Sequence, residues 1–425
     1  MCINTVNLIL ECEKLSETVI KLRDENGGHI TLKYYFKFGS DGSNGHPIFK
    51  QILNSERDQG SVYATGMVSM QIVCELPNGE IHVVYDNPLV NSSLSWRPLH
   101  LWFVKETLAR IKIEKDRLFL ERKELNDFEY QWCEGVIVKF IGFYSMCDKK
   151  VQNGYLDNRH QATCGICGAK PSQVNEDLDF DPREEAICEL CIATLHFTIR
   201  TFEHLIKIGA KKRANVLKYI AKGKENQDKI KEAMNEIIKN FHDKLGLDIF
   251  QPRDGGRGSS NDGNTCRTAF QHPEFLAEQT GLSLELIKRL NFIRIALAKK
   301  DKKHPEKFPA YCKATKDIYN KECGWYPANP TLHKVFDHSG HFLNVFPPTI
   351  STGMISEEPG EAANKDLKKF QIEHAFQGDP ERRNLDTMHR LIDRSNPQIL
   401  KHLVDKKLEK RDNEPTPDEV LDLLL

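Results

Sequence analysis

The chain reads as an α/β protein in which a mixed sheet, occupying the first third, is interrupted by a long and mostly helical insert. Three observations predict this. From Ile30 the apolar residues alternate strictly through Leu32, Tyr34, Phe36 and Phe38, the period of two that marks a strand with one face on a core. Gly135 to Tyr144 (GVIVKFIGFY) is almost continuously apolar, as expected of a central strand covered on both faces. The middle third then switches to helical spacing. Leu195, Ile199, Phe202 and Leu205 share one face, and Ile230, Met234, Ile237, Phe241 and Leu245 share another.

The elements follow in order. Residues 1–28 form a lead-in with a short apolar patch at Val6 to Leu10, and 29–155 form the first part of the sheet domain. The strand from Ile30 is expected to end in Gly39-Ser40-Asp41-Gly42, a turn sequence that leaves an acid at the strand's end. A second strand is expected over Met67 to Leu76. Pro77-Asn78-Gly79 then turns the chain into a third, Ile81 to Tyr85. Val104, Leu108, Ile111 and Leu118 fall on one helical face, and Asp148 lies just past the apolar run ending at Tyr144.

Residues 156–345 make the insert, including a helix from Leu284 to about Leu297 and a loop at Asp254 to Thr265 too polar to pack. Residues 346–403 hold a last acidic helix that closes the core, and 404–425 a charged, mobile tail. Thr416-Pro417-Asp418-Glu419 has the capping-box pattern that opens a short helix.

Composition narrows the class. At 425 residues the chain can bury at least one large core, with one to three domains as the range for that length. No apolar run approaches a membrane span and no export signal is visible. The 12 cysteines therefore favour reduced thiols and metal binding over a disulfide framework, in the cytosol or nucleus. The net charge of −1 does not announce a nucleic-acid binder. Basic runs at Lys207 to Lys222, Lys299 to Lys307 and Lys401 to Arg411 are read first as solvated helix faces.

The acids carry the chemistry. A lone Asp after a strand is usually a turn residue. Two at the same ends of neighbouring central strands, Asp41 and Asp148, say more, because clustered carboxylates resist ionising together unless a cation neutralises them. Such oxygen ligands suit Mg²⁺ or Mn²⁺, and a metal pair activates a water or 3′-hydroxyl on a phosphodiester. A third acid, Glu361, stands in Ser356-Glu357-Glu358-Pro359-Gly360-Glu361-Ala362-Ala363-Asn364-Lys365. Pro359 and the acids equally suit a plain helix start. Lys365 and Lys368 follow by one and two turns, facing either a DNA backbone or solvent. Among the cysteines, Cys164-x-x-Cys167 and Cys188-x-x-Cys191 have the spacing of a four-thiolate zinc site.

The segments SDGSNG, RPLHLWFVKET, SMCDKKVQN, GRGSSNDGNTCR, GWYPANPTLHKVFDH and SEEPGEAANKDLKKF resemble, in order, those of the Transib transposases and the catalytic subunit of the V(D)J recombination-activating (RAG) recombinase. The resemblance implies an RNase H-like catalytic core with a DDE triad, here Asp41, Asp148 and Glu361, interrupted by a zinc-containing helical insert. It implies hydrolytic nicking of double-stranded DNA, then attack of the freed 3′-hydroxyl on a second strand, using two Mg²⁺ or Mn²⁺ ions. It also implies a homodimer in the nucleus, with a RAG-type accessory subunit as a further partner.

The family's structural zinc pairs one CxxC with a distant His-x4-His, here Cys164, Cys167, His333 and His338. His341 is then a substitute ligand, and Cys188 and Cys191 become packing thiols or a separate feature. Arg267 and His196 match family positions near DNA and the active site. A solvated arginine and a helix-surface histidine are the plain alternatives. The dimerisation and sequence-specific DNA-binding segments that the family places upstream have no visible counterpart before Asp41. Two other functions are kept beside the enzyme: a domesticated, catalytically silent DNA-binding or interaction protein, and a zinc-module adaptor.

Overall fold

Strand pairing organises the first half of the chain and helix packing the second. The computed structural model describes residues 1–46, 60–156, 162–176, 180–183, 193–220, 222–252, 261–376, 380–408 and 416–425. Helices α1 (Cys2–Leu10) and α2 (Glu13–Glu25) open the chain. Strands β1 (Ile30–Asn44), β2 (Ser61–Glu75), β3 (Ile81–Asp86) and β4 (Arg97–Trp102) follow, then α3 (Leu108–Asp127), β5 (Glu129–Cys133), β6 (Val136–Tyr144) and α4 (Lys149–Tyr155). The helical stretch holds α5 (Thr194–Arg213), α6 (Lys224–Leu245), α7 (Gly263–Phe270), α8 (Pro273–Thr280), α9 (Leu284–Ala298), α10 (Lys307–Cys323) and α11 (Pro330–Leu343). It is followed by α12 (Glu358–Glu373), α13 (Pro380–Arg394), α14 (Pro397–Leu408) and α15 (Asp418–Leu421). The chain divides into a sheet unit, Met1–Tyr155 with Glu357–Glu414, and a helical unit, Leu156–Ser356 with Pro415–Leu425. No helix among the described residues is long and apolar enough to cross a membrane.

In the sheet unit the strand order is β3-β2-β1-β6-β5, with β4 also paired to β2. β1 runs parallel to β6 and antiparallel to β2, and the remaining pairs are antiparallel. This is a mixed sheet of mostly antiparallel strands. The alternation from Ile30 to Phe38 is present in β1, where Leu32, Tyr34, Phe36 and Phe38 are buried. Both faces are covered, however, so Tyr35 and Lys37 are buried as well. Lys37 keeps its ammonium satisfied by donating to Asn91 Oδ1 at 2.9 Å. The patch Val6 to Leu10 lies on α1, with Val6, Ile9 and Leu10 buried. β6 alternates more than its apolar run suggests, since Lys139 is exposed.

Several expectations are corrected. Gly39-Ser40-Asp41-Gly42 is not a turn, because β1 continues to Asn44, paired with β2 residue for residue from Gly39↔Gly66 to Asn44↔Ser61. A continued backbone ladder leaves no buried peptide group unpaired, and that outweighs the turn preference of Gly, Ser and Asp. β2 accordingly starts at Ser61, before Met67. β4 and β5 were not legible, being short and without a buried face of period two. On α3, Ile111 and Leu118 are buried but Leu108 is exposed.

The polar loop at Asp254 to Thr265 lies partly outside the described residues. Its end is helical, with Asp262 capping α7 by accepting from the Asn264 and Thr265 amides. Thr416 is not a cap, since α15 starts after Pro417 with no side-chain bond. The last residues are built into the helical unit. Leu423 O accepts from His304 N at 2.9 Å, and Leu425 N donates to Lys302 O at 2.8 Å.

The helical unit packs around α5. Phe202 meets Phe241 and Phe270 edge-on, and His204 is buried with Nε2 2.7 Å from Tyr319 Oη. That hydroxyl donates to Tyr326 O, so the His204 Nε2 must carry the proton and donate.

Two expectations follow. A Cβ at Gly39 would lie 2.1 Å from Met146 O, where the chain leaving β6 crosses β1. Gly39→Ala should therefore lower the urea midpoint, costing about 1–3 kcal/mol as overpacking does. Burial, with the Lys207 charge adding to it, pushes the His204 pKa down to about 3. A depressed histidine binds fewer protons folded than unfolded. Stability is therefore full above the unfolded pKa near 6.5 and falls as pH drops from there towards 3. Urea midpoints at pH 7.5 and 5 should show this loss, and His204→Gln should flatten it.

A candidate carboxylate site and a candidate metal centre

In the sheet unit the parallel pairing of β1 and β6 sets the first two acids. The pairing runs from Ile30↔Val136 to Phe38↔Tyr144. Beyond it, Phe38 O accepts from the amides of Ser145 and Met146. The segment after β6 therefore stays pressed against β1, which only the bare Gly39 permits. Asp148 then opens α4, its Oδ1 accepting from Val151 N at 2.8 Å. The two acids share an electrostatic neighbourhood. Burial pushes the Cys147 thiol well up, and the negative charges of Asp148 and Asp41 add to the effect.

Asp41 is held by both oxygens. Oδ1 accepts from Gly42 N at 2.9 Å, and Oδ2 from Asn364 Nδ2 at 2.6 Å. Asn364 lies on α12, one turn after Glu361, so the two side chains share a helix face about 5–6 Å apart. Further along that face Leu367 is buried, and Gln371 Oε1 lies 2.8 Å from His46 Nδ1, while His46 Nε2 reaches Ser43. The His46 pKa is lowered, first by burial and then by the Lys368 and Arg383 charges, against the Gln371 hydrogen bond. A neutral imidazole thus ties the end of β1 to α12, with Asn364 as the second tie. Pro359 occupies the first turn of α12, with Glu358 and Glu361 at its positive end.

A fourth acid, Glu106, was missed. A Cβ at Gly42 would lie 2.1 Å from Glu106 Oε2, so this carboxylate covers the glycine next to Asp41. Its pKa is raised, by burial first and then by the Asp148 charge, with Lys150 opposing at 3.0 Å. No sequence spacing links Glu106 to the other acids. Its only signal was its place in the segment RPLHLWFVKET. The acids are not gathered as tightly as ligands of one ion. Among the described residues, the group whose ligand atoms all lie within 4.8 Å is a different one.

That group is Cys164, Cys167, His333 and His338 in the helical unit, and it could hold a metal such as zinc. The Cys164-x-x-Cys167-Gly168 turn closes through Gly168 N to Cys164 O and Cys164 N to Ala169 O, with Gly168 at φ +80°. Amides of Ile166 and Ala169 point at the two sulfurs, each at 3.4 Å, an arrangement that stabilises thiolates. Cys164 Sγ is 3.7 Å from His338 Nε2, and Cys167 Sγ is 3.3 Å from His333 Nε2. Hydrogen bonding to Cys167, and then to the two histidines, holds the Cys164 thiol far below its ordinary value despite burial. His333 Nδ1 faces Asp337 Oδ2 at 2.7 Å, and Lys316 bonds the other oxygen at 2.7 Å. An outer carboxylate of this kind orients a ligating imidazole. His341 is not among the four whose ligand atoms converge. Cys188 and Cys191 lie outside the described residues.

The remaining candidates are placed as follows. Lys365 is exposed on α12 and Lys368 is half-buried. Arg267 is half-buried on α7, its guanidinium 3.1 Å from Asn264 Oδ1. His196 is buried on α5, not on the helix surface. No protein-family model matches the chain, and no curated protein matches it significantly.

Zinc content by mass spectrometry should be one ion per chain and lost in His333→Ala. It should be retained in Cys188→Ser, and held about 10–100-fold more weakly in Asp337→Asn. Zinc kept by the His333 variant and lost by the Cys188 variant would point to the four-cysteine set instead.

Proposed function

We propose that this protein is a DDE-type DNA endonuclease and strand transferase. In this reading it nicks double-stranded DNA and transfers the freed 3′-hydroxyl onto a second strand. The observation that carries it is the docking of α12 on Asp41. A helix that starts more than three hundred residues later presents Glu361 on the face whose Asn364 bonds the Asp41 carboxylate. Asp148 and Glu106 stand in the same electrostatic neighbourhood. The ordered segments that resemble those of the Transib and RAG recombinase family support the same reading, as does a mixed sheet whose first strand has an antiparallel partner on one side and a parallel one on the other. An RNase H-like core is the finer fold assignment proposed.

The donor set fits Mg²⁺ or Mn²⁺, being made of carboxylate oxygens whose mutual repulsion a divalent cation relieves. Asp41, Asp148 and Glu361 would hold the ions, with Glu106 beside them. When bound, such a pair activates a water or hydroxyl and stabilises the leaving oxygen of a phosphodiester. The chain's own part is preorganisation. Two hydrogen bonds fix the plane of Asp41, the α4 cap fixes Asp148, and the Asn364 and His46–Gln371 ties fix the register of α12. Lys365 and Lys368 follow Glu361 on α12 as contacts for the DNA backbone, and Arg267 and His196 are weaker ones. Zinc at Cys164, Cys167, His333 and His338 has a structural role, since a four-ligand site leaves no open position for chemistry. A homodimer acting in the nucleus, with or without an accessory subunit, belongs to the same proposal.

Supercoiled DNA should be nicked in Mg²⁺ or Mn²⁺ and left intact in EDTA. Asp41→Ala, Asp148→Ala and Glu361→Ala should each lose roughly a hundredfold or more, because metal-held charge in the transition state is worth several kcal/mol. A folded wild type without metal-dependent nicking, or variants that nick equally well, would leave the silent DNA-binding protein as the better reading.

A further inference from the structure

The link between α5 and α6 in the helical unit sets apolar side chains in solvent among cations. From Lys207 to Lys224 the chain has seven lysines and arginines and no acid. Sequence alone reads this run as a solvated helix face, but α5 ends at Arg213 and α6 starts at Lys224. In the link between them Leu217 is 50% exposed, Tyr219 45% and Ile220 66%. Lys218 and Lys222 are exposed beside them, while Arg213 is paired with Glu236 at 2.7 Å. Hydrogen bonds fix the shape of the link. The ammonium of the buried Lys211 donates to Lys218 O at 2.8 Å and to Tyr219 O at 3.0 Å. Val216 is buried, its amide donating to Lys211 O at 2.9 Å, and the Tyr219 ring lies edge-on to Tyr326. Lys211 and Val216 turn inward, and Leu217 and Ile220 are thereby held outward.

We infer that this link is a DNA wedge: Leu217 and Ile220 enter between base pairs of a duplex while Lys218 and Lys222 meet the flanking phosphates, bending the DNA. The inference rests on the DNA reading above and uses residues that the carboxylate site does not. Three large apolar groups held in water are unfavourable unless a partner covers them. The cations around them select an anionic partner, and one with an apolar interior within a side chain's reach. Duplex DNA has charged phosphates outside and stacked bases inside, and apolar side chains beside cations open base steps in this way. An anionic bilayer has a charged surface and an apolar interior too, but it is flat. It would also meet the first turns of α6, where Glu225 and Asp228 are exposed. A duplex is narrow enough to touch the tip alone. The fixed backbone matters, because a wedge that is already ordered loses little entropy on insertion.

The test uses the intact chain without added divalent metal, so that no strand is cut, and a duplex of about 30 base pairs labelled at both ends. Fluorescence anisotropy gives the affinity, and end-to-end energy transfer gives the bend. Wild type should bend the duplex by roughly 20–90°. The double variant Leu217→Ser, Ile220→Ser changes only exposed positions. It should bind about tenfold or more weakly and leave the duplex straight, with the salt dependence of wild type. Lys218→Gln with Lys222→Gln should instead flatten the slope of log K against log salt by about two. A serine variant that binds and bends DNA as wild type does would overturn the wedge and leave the DNA reading standing. So would a wild type that binds without bending. Wild type without DNA binding would overturn both. Loss of binding to phosphatidylserine vesicles in the serine variant, with DNA binding unchanged, would overturn the wedge and assign the tip to membranes.

Discussion

The sheet unit depends on one close approach, the passage of the chain leaving β6 across Gly39 of β1. A side chain there would occupy the position of the Met146 carbonyl. Without that side chain, Phe38 O can accept from Ser145 and Met146, and the parallel register of β1 and β6 extends beyond its last strand pair. Asp148 thereby comes into the same electrostatic neighbourhood as Asp41, both charges acting on Cys147. Gly42 acts likewise on the other side of the acid, since its missing Cβ is the room that the Glu106 carboxylate fills. Two glycines near one aspartate thus make room for the chain leaving β6 and for the Glu106 carboxylate.

Bringing like charges together is unfavourable, and the surroundings show how it is tolerated. Glu106 is raised by burial and by Asp148, with Lys150 as partial compensation. Asp41 accepts from two neutral donors, a backbone amide and the Asn364 amide. The ties between α12 and β1 are also neutral, Asn364 with Asp41 and Gln371 with a His46 whose protonation burial disfavours. The position of α12 is further set by the buried Leu367 and by the ion pair of Asp366 with Arg394 of α13 at 2.7 Å.

The Cys/His group in the helical unit follows a different logic. Its four ligand atoms converge within 4.8 Å, backbone amides already point at both sulfurs, and Asp337 with Lys316 orients His333. The group joins a tight turn near the start of that unit's chain to α11 near its end. Such a cross-link constrains a long stretch of helices that otherwise rests on aromatic packing around α5.

Much of this was written in local patterns. The alternation of β1, the helical faces of α5, α6 and α9, the proline opening α12 and the CxxC turn all depend on residues within a few positions of one another. Sequence carries that information directly. Asp41, Asp148, Glu361 and the Cys/His ligands could be singled out as residue types in suggestive settings, with the family resemblance connecting them. What only the tertiary structure decided is what depends on distant partners. The ladder with β2 turned a Gly-Ser-Asp-Gly turn sequence into strand. Glu106 became a neighbour of the acids only because Gly42 left room for it. His196 and Lys303 proved buried, although their sequence neighbourhoods suggested surface. Burial and through-space charge are properties of the assembled fold, and a side chain's chemistry follows them more closely than it follows its neighbours in sequence.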